Sequence, residues 1–333
     1  MATRYTDTPE NLRFLSSRLR EGDLVAVPTE TVYGLGADAR NEAACREIFR
    51  AKERPPEDPL IVHIPEAFDL REIARPGPLL GKLREAFWPG PLTVVMDKTA
   101  AIPDIVTASL PSVAVRMPAH PALRALLAEF GGPLAAPSAN PFAYISPTSA
   151  DHVEESLGQR IRYILDGGLC RHGVESTILD IRDPACPVLL RHGAIPVEEL
   201  EETLGQTLAY PAEDAPAARA APGQMPKHYS PKTPLDLIPA PLSVNDERAG
   251  RNIAFLFFRK PDSLAAGDES VFWLSEQGRL EEAAANLFSL LREIDNRGYS
   301  TIIAEAAPDY GLGRAINDRL RRAAVKRRTP CEE

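Results

Sequence analysis

The chain has 333 residues, more than the ~100–200 of a single domain, so two domains are expected. Its 38 Lys and Arg stand against 47 Asp and Glu, a net charge of −9, which excludes a general nucleic-acid coat or a polybasic membrane binder because both need a basic surface. A hydrophobic share of 44% supports a full core and excludes global disorder, while 32 prolines, about twice the usual ~5%, require a local explanation.

In chain order, Leu24–Val27 reads as a strand and Thr29–Gly36 as the loop after it. Asn41–Arg54 has a helical period, with Ala44, Cys45, Ile48 and Phe49 on one side, Asn41 as N-cap and Pro55-Pro56 as the stop. Leu60–Ile64, Leu92–Met96, Val113–Val115, Leu134–Ala136, Arg162–Leu165, Ser176–Ile181 and Val188–Leu190 are further strand candidates. Helical stretches near 79–87, 120–129 and 148–157 lie between them, so an α/β domain with a twisted sheet is predicted. Residues 206–245 then hold eight prolines and much alanine, which cannot form one helix or a central strand and read as an extended linker. Within it, Lys227-His228-Tyr229-Ser230 carries more chemistry than a spacer needs. Asn252–Phe258 and Thr301–Glu305 read as strands, Glu276–Asn296 as amphipathic and Gly313–Arg328 as a basic helix, which makes a small second α/β domain.

Cys45, Cys170, Cys186 and Cys331 are far apart and form no CxxC pair, so they read as reduced thiols and offer no zinc ribbon. The N-terminus has no apolar signal region, and the longest apolar run, Ile253 to Phe258, is far short of the ~20 residues of a membrane span. A cytoplasmic protein with no membrane partner is expected. Gly34-Leu35-Gly36 resembles part of a dinucleotide fingerprint but follows its strand too late. Gly77 to Leu83 falls short of a P-loop, with Leu where Ser or Thr should hold magnesium. No nucleophile motif is present, so an enzyme with this sequence would work by positioning and charge.

Polar residues cluster at the ends of the predicted strands, where ligands of open α/β sheets bind. Pro28 to Gly36 places hydroxyls, one carboxylate and two glycines directly after a strand. Lys52 and Arg54 end a helix, where cations ordinarily complement the dipole but can also face phosphate. Ser112 and Arg116, then Ser138 and Asn140, then Ser146, Ser176 and Arg191 follow. Each alone reads as a cap or turn. Together they form an inventory suited to a polyanion such as a nucleoside triphosphate.

PTETVYGLG, KERPPEDPLIVHI, VAVRMP, APSAN, GVESTILDI and LLRHGAI, in that order, resemble the YrdC-type domain. The linker with KHYSP and the terminal GLGRAINDRLRRAA is similar to the long two-domain L-threonylcarbamoyladenylate synthases. The resemblance implies a YrdC-like twisted open sheet with flanking helices over 1–205, a proline-rich linker or lid over 206–234, and a smaller Rossmann-like α/β domain over 235–333. It implies synthesis of threonylcarbamoyl-AMP and pyrophosphate from threonine, bicarbonate or CO2, and ATP with its Mg2+. The product would pass to a separate tRNA threonylcarbamoyl transferase complex.

By the same resemblance Lys52 and Arg54 are catalytic, and Arg54, Asp58, Ser112, Ser138, Ser146 and Arg191 hold the nucleotide. Tyr229 folds over it as a lid. Thr31, His63, Arg116, Ala136 and Ser176 form the threonine pocket, with Arg116 suited to the carboxylate. No protein-bound metal is implied, since magnesium arrives with the triphosphate. Glu53 and Asp58 depart from the family's usual Gly and Asn. Two alternatives remain at this stage: a related carbamoyl-transfer enzyme, and a non-catalytic tRNA-binding module built on the basic terminal helix, whose ordinary reading is a solvated face.

Overall fold

The computed structural model describes residues 1–211, 228–242, 252–262 and 269–324. They fall into two compact units: 1–142 with 146–211, and 143–145 with the described residues from 228 onward. Most of the expected linker, with Lys227 and the four residues Lys326, Arg327, Arg328 and Cys331 near the C-terminus, lies outside the described residues.

The first unit runs β1 (Thr3–Tyr5), α1 (Pro9–Arg20), β2 (Val25–Val27), β3 (Gly34–Asp38), α2 (Glu42–Lys52), β4 (Ile61–His63), β5 (Ala74–Arg75), α3 (Leu80–Phe87), β6 (Leu92–Lys98), α4 (Asp104–Thr107), β7 (Ser112–Arg116), α5 (Pro121–Phe130), β8 (Leu134–Ala135), α6 (Ala150–Leu157), β9 (Tyr163–Leu165), β10 (Thr177–Asp180), β11 (Val188–Arg191) and α7 (Val197–Leu204). The strands form one mixed sheet in the order β1-β9-β2-β3-β8-β4-β7-β6-β10-β11, with β5 added on β6.

Local chemistry sets the elements. Thr8 caps α1 and Pro9 occupies its first turn, where a missing N–H costs nothing. Leu12, Leu15 and Leu19 then recur at helical spacing and pack with Leu123, Leu126, Leu127 and Phe130 of α5 against Val25, Val27 and Leu134. Ala26 and Ala135, the alternate residues of β2 and β8, face the other way. Ala26, Val62, Val94, Val113 and Val115 join Ile48 and Phe49 of α2, Leu83 of α3 and Leu200 of α7 in the larger core. Each fully buried Leu or Val here contributes about 1.5–3 kcal/mol. Asn41 caps α2 by accepting from the Ala44 N–H at 3.1 Å, as expected. Its stop is Glu53 in a left-handed conformation, φ 53°, ahead of the prolines. The expected loop ends early, because Gly34–Asp38 pairs antiparallel with β2 as β3. Gly34 and Gly36 thus lie inside a strand, so they are no strand-to-helix phosphate turn.

The second unit holds β12 (Leu235–Ile238), β13 (Ile253–Arg259), β14 (Val271–Ser275), α8 (Leu280–Asn296), β15 (Thr301–Glu305) and α9 (Leu312–Ala323). Its strands are all parallel in the order β12-β15-β13-β14, which suits the continuous apolar run of β13. The proline-rich stretch is interrupted by β12, at the sheet edge where flanking prolines are tolerated. Arg319, expected on a basic outer face of α9, is instead fully buried, its guanidinium 5.0 Å from the Tyr229 ring centroid.

Candidate active site

Strand pairing assembles the polar residues. Arg116 pairs with His63 on one side and with Thr93 on the other, Thr93 pairs with Ile178, and Ile178 with Arg191. Directly paired residues share a sheet face, and alternation puts Ser112 and Ala114 on that of Arg116. Ile61, Val95, Ala114, Ile178 and Leu190 make a small apolar patch there. A register shift in the β10–β11 pair admits Leu190 to the patch while Arg191 still reaches Ser176. The expected strand-end placement is found for His63, Arg116 and Arg191, the last residues of β4, β7 and β11, and for Ser112, the first of β7, and pairing puts them on one face of a mixed sheet. Ser112 and Arg116 mark its extent along β7, about 13 Å at ~3.3 Å per residue.

At the Arg116 end the guanidinium is immobilised. Nη1 donates to Thr31 Oγ1 at 2.9 Å, Nε to the Gly90 carbonyl at 3.3 Å, and Nη2 pairs with Glu30 Oε1 at 2.6 Å. Glu30 Oε2 accepts from the Ala119 N–H at 3.0 Å. Burial alone would raise the Glu30 carboxyl, but the Arg116 charge and hydrogen bond outweigh it and hold it below its usual value. Thr29 shapes the loop by accepting from the N–H groups of Thr31 at 3.0 Å and Val32 at 3.1 Å. Beside them His63 is buried, and its Nδ1 has no hydrogen-bond partner among the described residues. Burial, with the Arg116 charge, pushes its pKa down to about 3, so the ring is neutral.

Arg191 extends the same face. Its Nε and Nη2 donate to the Ser176 carbonyl at 3.1 and 3.0 Å, and Nη2 reaches Ser176 Oγ at 3.1 Å. Gly193 packs on this segment so closely that a Cβ there would stand 2.4 Å from the Glu175 carbonyl oxygen and the Thr177 nitrogen.

The Lys52 corner is built from loop backbone. Lys52 Nζ donates to the carbonyls of Ser138 at 2.6 Å and Asn140 at 2.5 Å. Burial, with the Arg54 charge, pushes this amine well below the ordinary lysine value. Two of its N–H groups serve the two carbonyls. Arg54 donates to the carbonyls of Asp58 at 3.1 Å and Pro59 at 2.8 Å and pairs with the Asp58 carboxylate at 2.9 Å, both side chains buried. Asp58 thus stands against Arg54. Glu53 points elsewhere, pairing with Arg160 at 2.9 Å with its side chain 70% exposed.

Ser138 bridges to Gly34, Ala136 N–H donates to the Ile61 carbonyl at 2.9 Å, and Ser146 Oγ donates to Glu175 Oε1 at 2.6 Å. In the second unit Tyr229 has φ 61° and stacks on Phe288, ring centroids 5.6 Å apart. Glu30 and Glu175 carry contacts to which the sequence alone assigns no role. The signal for Glu30 was a lone carboxylate between two threonines in a strand-exit loop, and for Glu175 a carboxylate beside Ser176. Among the described residues no cluster of three or more His, Cys, Asp and Glu is arranged for a metal, and no helix is long and apolar enough to cross a membrane.

Residues 17–193 match the Sua5/YciO/YrdC family, described as "Telomere recombination", and residues 195–325 match the family described as "Threonylcarbamoyl-AMP synthase, C-terminal domain". Fold and matches together define a two-module protein with a YrdC-type sheet and a smaller Rossmann-like α/β unit. A threonylcarbamoyl-AMP synthase of Pyrococcus abyssi is 41% identical over 326 residues, covering 94% of each chain. One of Bacillus subtilis is 41% identical over 315 residues, 92% of this chain and 90% of the relative. The solved structure of P. abyssi Sua5 complexed with L-threonine superposes with a TM-score of 0.86 at 38% identity, covering 97% of both chains. The chain belongs to the threonylcarbamoyl-AMP synthase family.

Proposed function

We propose that this chain makes L-threonylcarbamoyl-AMP and pyrophosphate from L-threonine, bicarbonate or CO2, and MgATP. The observation that carries the reading is the unbroken likeness to threonylcarbamoyl-AMP synthases across both modules. The site chemistry supports it. Arg116 donates hydrogen bonds to Thr31 and Gly90 and is ion-paired with Glu30 through Nη2, which leaves further N–H groups for a substrate carboxylate. His63, held neutral, serves as a hydrogen-bonding group toward the threonine amine or hydroxyl and is too weakly basic to store a proton. Thr31, Ala136 and Ser176 complete the pocket.

Arg54, Asp58, Ser112, Ser138, Ser146 and Arg191 take the nucleotide, with Lys52 securing the loop of Ser138. The threonine amine attacks CO2 to give a carbamate and releases a proton. A carbamate oxygen then displaces pyrophosphate from the α-phosphorus of ATP. Such chemistry needs positioning and charge neutralisation more than a protein nucleophile. Magnesium enters as part of the ATP substrate. Tyr229 acts as the lid that keeps water from the acyl-adenylate. The product goes to a tRNA-modifying transferase complex in the cytoplasm.

The test is pyrophosphate release. It is expected to require threonine, bicarbonate and ATP together, and release indifferent to threonine or bicarbonate overturns the proposal. Arg54→Ala should chiefly raise the KM for ATP and Arg116→Ala the KM for threonine; equal effects on both contradict the division of the site.

A further inference from the structure

Thr93 lies within β6 between Leu92 and Val94, fully buried. A valine there would suit the strand equally well and would bury no polar atom. Its hydroxyl has one hydrogen-bond partner among the described residues, Ser176 Oγ at 2.7 Å. Ser176 Oγ also accepts from Arg191 Nη2 at 3.1 Å.

The direction of the Thr93–Ser176 bond follows from what each proton could otherwise reach. Were Ser176 the donor, the Thr93 proton would be buried with no acceptor, a costly arrangement. Thr93 is therefore the donor. A serine oxygen has two lone pairs and one proton. Arg191 occupies one lone pair and Thr93 the other, so the Ser176 hydroxyl has only its proton left to offer. Thr93 also pairs directly with Arg116 across β6 and β7, so that proton is presented beside the guanidinium.

We propose that Thr93 is a positioning residue of the amino-acid site, holding the Ser176 hydroxyl as a donor to a carboxylate oxygen of the substrate whose other contact is Arg116. The inference rests on the threonine-pocket reading of Ser176 given above. It also makes Ser176 the joint between that pocket and Arg191, since one hydroxyl serves both.

The experiment is steady-state pyrophosphate release by the full chain, varying threonine and ATP separately, for Thr93→Val, Thr93→Ser, Ser176→Ala and the Thr93→Val/Ser176→Ala double variant. Loss of a hydrogen bond to a charged group predicts a threonine KM raised about tenfold in Thr93→Val, with the ATP KM within about twofold. Thr93→Ser, which keeps the hydroxyl, should restore the threonine KM. In the Ser176→Ala background Thr93→Val should add nothing, because the two act through one contact. An unchanged threonine KM in Thr93→Val, equal impairment in Thr93→Ser, or independent multiplication of the two effects each overturns the inference. If Thr93→Val fails to fold, Thr93→Ser against Ser176→Ala decides: the serine variant must match the parent while the alanine variant loses threonine affinity. Threonine-independent release by the parent protein would overturn the proposed function itself, and this inference with it.

Discussion

At the Arg116 corner a buried guanidinium is held by a carboxylate, a hydroxyl and one carbonyl, whereas at the Lys52 corner a buried amine is held by two carbonyls of the loop it secures. The sequence counts both among the cations suited to a polyanion, and the family resemblance makes Lys52 catalytic and Arg116 a threonine-pocket residue. Their surroundings separate them. Arg116 has its charge balanced by Glu30 within the protein and further N–H groups beyond its contacts to Thr31 and Gly90. Lys52 is pushed toward neutrality by burial and by Arg54, and its hydrogens go to Ser138 and Asn140. Under the proposed function the first residue is placed for binding and the second ties down a binding loop.

The comparison breaks most visibly at Arg116. Arg116→Met leaves Glu30 as a buried carboxylate without its counter-charge, and should cost about 3–5 kcal/mol in urea unfolding. Adding Glu30→Gln should recover much of that stability without recovering threonine affinity. If the double variant binds threonine as the parent does, Arg116 is structural only. Lys52→Met should cost about 1–3 kcal/mol for each carbonyl left unpaired, and calorimetric titration should show ATP affinity falling more than threonine affinity. A larger loss for threonine would erase the distinction between the corners.

Gly193→Ala tests the Arg191 side. Its Cβ would meet backbone 2.4 Å away, so the Glu175–Thr177 segment must shift, at about 1–3 kcal/mol. The thermal midpoint should drop and the threonine KM rise together. An unchanged threonine KM would separate the Ser176 segment from the pocket.

The His63 environment predicts a pH dependence. Its folded pKa of about 3 lies below its ordinary value of 6.5, so between these the unfolded chain binds a proton that the folded chain does not. Stability then falls as pH drops through that window, by up to about 1.4 kcal/mol per pH unit for one group. Glu30, also lowered, adds its own loss further down, as pH falls toward its folded value. His63→Gln should flatten the upper part of the slope in unfolding measured from pH 7 to 5, and an unaltered slope would place the titration elsewhere. The smallest effect belongs to Glu53. Its exposed pair with Arg160 contributes little, while glycine would relieve the left-handed backbone. Glu53→Gly should therefore raise stability by up to about 1 kcal/mol, read as a higher thermal midpoint; a lower midpoint would show the ion pair to outweigh the strain.

Much of the first unit was legible in advance. The apolar runs at Val25–Val27, Ile61–His63, Leu92–Met96 and Ser112–Arg116 are strands, and Asn41 caps the helix predicted after it. Elements whose sequence lacks a strong period escaped, among them β1, β12 and α4, because pairing or packing with distant segments stabilises them. The expectation that Arg319 lies on a solvated basic face failed for a related reason. A charge run says how many cations a helix carries, and only the neighbouring Tyr229 ring and Asp318 show which one is buried.

The order of motifs in the sequence was sufficient to assign the family, and the alternation within β7 already placed Ser112, Ala114 and Arg116 on one side of their strand. Tertiary structure alone decided which side chains meet there. Strand neighbours and register are set by hydrogen bonds between segments far apart in the chain. Thr93 thus stands between Arg116 and Ser176, Glu30 reaches Arg116 from a loop 86 positions earlier in numbering, and Lys52 meets the carbonyls of Ser138 and Asn140. The charge states follow the same contacts, because burial and partner charge, rather than residue type, fix whether a side chain in this site is ionised.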